Sequence, residues 1–102
     1  MNKLEAFKRK LESTPNTEHV KAFGKYDVGA AAIYTGAMYV RGTKDNPKPH
    51  VRGIIMIESG DDSIAIVTPF ETSIDEKELK AGLYDAAISH VQDGINAGRY
   101  GG

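Results

Sequence analysis

Arg41, Lys44, Lys48, His50 and Arg52 fall within twelve residues and are opposed there by a single acid, Asp45. Guanidinium and ammonium groups at that density are suited to holding phosphate or carboxylate, and Arg adds a planar fork that takes both oxygens of one anion. If Arg41 ends one strand and Arg52 opens the next, the two guanidinium groups converge on one ligand. The implied chemistry is binding, of an acidic protein, a nucleic acid or a small anionic ligand. Lys3, Lys8, Arg9 and Lys10 extend the same field from the N-terminal segment. Tyr39, beside the loop, is the aromatic best placed to stack a base among those cations.

Other reactive side chains are dispersed. His19, His50 and His90 share no ligand spacing and the chain has no cysteine, so no metal site is expected. Ser13, Ser59, Ser63, Ser73 and Ser89 lack a nucleophile-elbow motif, and Asp61-Asp62 lacks the other ligands of a calcium loop. Gly29, Gly36, Gly42 and Gly53 form neither a dinucleotide nor a P-loop fingerprint. The expectation is a non-enzymatic protein without a cofactor. An enzyme whose site forms between subunits, with Arg41 or Arg52 as anion clamp and His50 or His90 moving a proton, is the less favoured alternative.

The net charge of −1 conceals two unlike halves. Residues 1–52 carry ten Lys and Arg against five acids, and residues 53–102 carry three against nine, giving +5 and −6. That asymmetry favours an anionic partner or attraction between copies, so a purely structural self-assembling subunit is the second alternative. The 102 residues suit one α+β domain over 1–102, and the absence of cysteine favours a cytoplasmic protein. The longest apolar runs, Ala30–Tyr34 and Gly53–Ile57, are too short to span a bilayer, and no membrane contact is expected.

The elements that must carry these residues follow from periodicity. Leu4, Phe7 and Leu11 share a helical face over about Lys3–Ser13, with Asn2 and Glu5 as a capping box. Thr17–Phe23 reads equally as a helical turn or the lead-in to a strand. Tyr26–Arg41 reads as one long strand bent at Gly36, with a hairpin turn at Gly36 as the alternative. The turn-rich loop Gly42–Pro49 leads to strands over Val51–Glu58 and Ile64–Phe70, joined through Ser59–Asp62. Asp75 and Glu78 form a second capping box and Ile74 with Leu79 a hydrophobic staple, starting a helix that ends at Gly94 or Gly98.

The result is an N-terminal helix, an antiparallel sheet of three or four strands and a C-terminal helix. The strands are apolar on both faces, with Ile55 and Ile57 on one side of the second and Ile54 and Met56 on the other. With both helices placed on one face, the other needs a cover, and a second subunit supplies it. A homodimer or higher homo-oligomer, joined through the sheet, is therefore expected.

Two resemblances accompany this pattern. The element order with Pro47-Lys48-Pro49-His50 in the first loop resembles double-stranded-RNA-binding domains. Those begin the second helix with a lysine cluster facing phosphates, whereas this chain has Asp75-Glu76-Lys77-Glu78. Gly36 followed by Val40-Arg41-Gly42-Thr43 resembles the phosphate-reading strand of Src-homology phosphotyrosine domains, which implies a phosphate grip for Arg41. The acidic-Ser pair that follows that arginine in those domains is absent, as is an N-terminal Trp.

Overall fold

The computed structural model describes residues 3–42 and 44–98. Among the described residues six elements follow one another: α1 (Lys3–Glu12), β1 (Thr17–Val28), β2 (Ala31–Val40), β3 (His50–Ser59), β4 (Asp62–Phe70) and α2 (Glu76–Asn96). The strands form one antiparallel meander in the order β1-β2-β3-β4. This is the expected α+β class with four strands. The capping residue Asn2 and the tail from Arg99 lie outside the described residues.

Two of the tight turns use the same device. Gly29 at φ 59° and Gly60 at φ 61° each open a two-residue connection, the position at which a hairpin turn needs positive φ. The turn at Gly29 corrects the reading of Tyr26–Arg41 as one bent strand. Tyr26–Val28 closes β1 and Ala31–Val40 forms β2, so Thr17–Phe23 is strand and Gly36 is neither turn nor strand break. Gly36 matters for a different reason. A Cβ there would lie 2.8 Å from the Lys21 carbonyl oxygen, 2.9 Å from Leu11 Cδ1 and 3.0 Å from Phe7 Cε2. The missing side chain is the seat on which α1 rests.

The helices lie on opposite faces of the sheet, which overturns the expectation that both share one. Phe7 and Leu11 of α1 pack with Tyr34, Met38, Val40 and Ile54, and Leu79, Leu83, Ala87 and Val91 of α2 pack with Ile33, Ala37, Ile55 and Ile57. Period-two alternation along β2 and β3 sends neighbouring apolar side chains to the two clusters. The two-sided hydrophobicity is thus satisfied within the chain over β1–β3. The α1 backbone approaches β1 and β2, the α2 backbone approaches β1, β2 and β3, and neither approaches β4.

α2 begins as its sequence indicates. Asp75 is the N-cap at φ −69° and ψ 136°, its carboxylate accepting from the Lys77 amide at 3.3 Å, and Ile74 packs on the cluster that holds Leu79. At the other end the amides of Ala97 and Gly98 donate to the carbonyls of Asp93 and Ile95, both at 3.0 Å, while Gly94 is buried inside the helix.

Candidate functional site

The basic residues gather around the start of β3, but not in the arrangement their spacing suggests. Val40 pairs with His50 across β2 and β3, so Arg41 stands just beyond β2. Its amide donates to the Asn16 carbonyl at 3.0 Å and its guanidinium forms an ion pair with Glu18 of β1. Arg52 lies opposite Met38 on the α1 side. It borders a groove of about 230 Å³ with Lys10, over Phe7, Leu11, Met38, Ile54 and Met56. The two guanidinium groups are thereby committed to different places, and the expected convergence of Arg41 with Arg52 does not form.

His50 is 7% exposed and belongs to the framework of the site. Its Nδ1 lies 2.9 Å from the Lys48 carbonyl oxygen, which only accepts, so this nitrogen donates and ties the loop to β3. Asn46, Lys48 and His50 line a cleft of about 400 Å³ with Pro69–Ser73 at the opposite wall. Glu71 on that wall gives the cleft a mixed charge. Lys44 and Lys48 are exposed. Tyr39 is half-buried and faces the α2 side with Lys21 and Glu76, away from Arg52.

The ion pairs separate committed cations from free ones. Lys3 meets Glu58 at 3.4 Å, Lys21 meets Glu76 at 2.9 Å, Lys25 meets Asp27 at 3.7 Å and Arg41 meets Glu18. Among the described residues Lys10, Lys44, Lys48 and Arg52 have no acidic partner. Lys10 was legible only as part of the field on the first helix. Its join to Arg52 depends on α1 crossing the sheet, which no local pattern reveals.

The unlike halves of the sequence become unlike faces. α1 carries four cations and two acids, and α2 carries four acids and two Lys, on opposite sides of the sheet. That distribution favours negative charge near the α1 side and disfavours it near the α2 side. Among the described residues no three His, Asp or Glu side chains are grouped to hold a metal ion, and no helix is long and apolar enough to cross a membrane. No protein-family model matches the chain, and neither curated proteins nor solved structures yield a match.

Proposed function

We propose that the chain is a small, non-enzymatic, homo-oligomeric binding module that contacts an acidic protein partner on its α1 side. The observation that carries this reading is the groove where Arg52 and Lys10, both without an acidic partner among the described residues, stand over an apolar floor. Its cations attract carboxylates, and its floor of Phe7, Leu11, Met38, Ile54 and Met56 favours a segment that also carries apolar side chains. That combination suits a protein segment better than a nucleic-acid backbone or a small anion. Lys44 and Lys48 extend the contact along the β2–β3 loop. His50 holds the loop, and Arg41 is already committed to Glu18.

The test compares Arg52→Glu/Lys10→Glu with Arg41→Glu, using a synthetic peptide of alternating Glu and Leu and, separately, a heparin column. The double variant should lose peptide binding and elute from heparin at lower salt, while Arg41→Glu retains most of both. Affinity of the wild type should fall as salt rises, because the contact is screened. If the folded double variant binds the peptide as the wild type does, the groove is not the site.

A further inference from the structure

The two edges of the sheet are built differently. β1 carries Glu18, His19, Lys21, Lys25 and Asp27, and its register with β2 shifts between Glu18 and Lys21 and again between Ala22 and Gly24. His19 at φ 53° lies in the first of these irregularities. Charges and bulges of this kind prevent another strand from adding to an edge. β4 has neither. It pairs with β3 without a shift from Ser59↔Asp62 to Val51↔Phe70, contains no Lys or Arg, and its one acid, Asp62, is its first residue. Ile64 is 39% exposed and Val67 is 53% exposed, on opposite faces, with neither helix backbone close to the strand.

Pro69 fixes which backbone groups β4 offers. A proline has no N–H, so within a paired strand it occupies a position whose amide side faces away from the neighbour. By the two-residue alternation, the amides and carbonyls of Ser63, Ala65 and Val67 face the same open side.

We infer that β4 is the seam of a two-fold dimer, pairing antiparallel with β4 of a second copy so that Ala65 stands opposite the partner's Ala65. This deepens the oligomeric part of the proposed function and adjoins the anionic contact, since Ala65 and Val67 also line the α1-side groove, whereas Ile64 lies on the other face. The register follows from side-chain complementarity. With Ala65 on the axis, Ser63 opposes Val67 and Ile64 opposes Ile66, so four isoleucines meet on the α2 side. A shift that puts Ile66 on the axis brings Asp61 opposite Glu71, a like-charge pair that disfavours it. In the chosen register the open amides of Ser63, Ala65 and Val67 all meet carbonyls of the second copy. The charge-free middle of β4 has no acid or base to leave unpaired there.

The sequence contains no cysteine, so one introduced thiol reports the register directly. Opposed residues in a hydrogen-bonded antiparallel pair have Cα atoms about 5.5 Å apart, within the roughly 4.4–6.8 Å that a disulfide spans. Ala65→Cys should therefore oxidise to a covalent dimer in high yield, and Ile66→Cys should do so poorly. Sedimentation of the wild type at micromolar concentration should give twice the mass of one chain. Val67→Pro should be monomeric with an unchanged far-ultraviolet circular dichroism spectrum, since Val67 offers its amide to the second copy and not to β3. Ile64→Lys, at an exposed side chain, gives the same loss of dimer without touching the backbone. A wild type that stays monomeric overturns both the seam and the homo-oligomer. A dimer that survives Val67→Pro and Ile64→Lys, or cross-links better through Ile66→Cys, overturns the seam while leaving the homo-oligomer in place.

Discussion

Gly36→Ala and Gly82→Ala are the same chemical change with opposite expected signs, and the pair tests how α1 is seated. At Gly36 the new methyl meets the Lys21 carbonyl oxygen at 2.8 Å, Leu11 Cδ1 at 2.9 Å and Phe7 Cε2 at 3.0 Å. The leucine can rotate. The carbonyl belongs to the β1 backbone and moves only if the β1–β2 pairing is disturbed, and Phe7 is 3% exposed with its ring tilted against that of Tyr34 at a centroid distance of 5.9 Å. Overpacking of this kind costs about 1–3 kcal/mol, and the hard backbone contact places Gly36 in the upper part of that range. Restricting the unfolded chain returns about 0.4–1 kcal/mol, leaving a net loss of about 2 kcal/mol. For a domain of this size that lowers Tm by about 8–16 °C. At Gly82, inside α2, a Cβ meets nothing within 4 Å. Alanine there improves helix propensity by about 0.8–1 kcal/mol and should raise Tm by about 4–8 °C. Urea denaturation and thermal melts of the two variants provide the comparison. If Gly36→Ala were as stable as the wild type, α1 would not rest on β2 at this point, and the groove it forms with Arg52 would have to be redrawn.

Three further substitutions probe separate links. Tyr34 is fully buried and its hydroxyl has no hydrogen-bond partner among the described residues, so Tyr34→Phe should be neutral or stabilising by about 1 kcal/mol in denaturant, and a clear loss would reveal a partner for that hydroxyl. Asp75→Ala removes the acceptor of a 3.3 Å cap bond and should cost about 0.5–1 kcal/mol; no measurable change would mean that α2 does not depend on this cap. Lys21 and Glu76 form a 2.9 Å ion pair with both side chains more than half exposed, so Lys21→Gln should change stability by less than about 0.5 kcal/mol, and a larger loss would show that the pair helps fix α2 on β1.

How far the fold was legible depended on whether its cause was local. The start of α2 was readable because Ile74, Asp75, Glu78 and Leu79 carry cap and staple within six positions. The β3–β4 hairpin was readable because Ser59-Gly60-Asp61-Asp62 separates two β-rich runs. The β1–β2 hairpin was missed since Gly29 is followed by Ala30, Ala31 and Ala32, which continue an apolar run instead of marking a turn. Gly36 stands out in the sequence as a glycine in mid-strand, yet its cause is a helix that crosses the sheet. The placement of α1 is likewise a tertiary fact. Period two showed that both faces of β2 and β3 need cover, but not which element provides it.

The candidate site divides along the same line. That cations cluster between Arg41 and Arg52 is a property of the sequence; which of them are free is a property of the fold. Arg41 and Arg52 are equivalent in type and symmetric about the loop, and only the register separates them. Thr17 opposite Val40 brings Glu18 beside the end of β2, where it neutralises Arg41, while Met38 opposite Arg52 directs that guanidinium to the α1 side beside Lys10. The β1 edge supplies the acid that closes one arginine, and the α1 crossing supplies the base that reinforces the other. Charge reversal at Arg52 should therefore weaken an acidic contact more than the same reversal at Arg41, although eleven positions of sequence give no reason to prefer either.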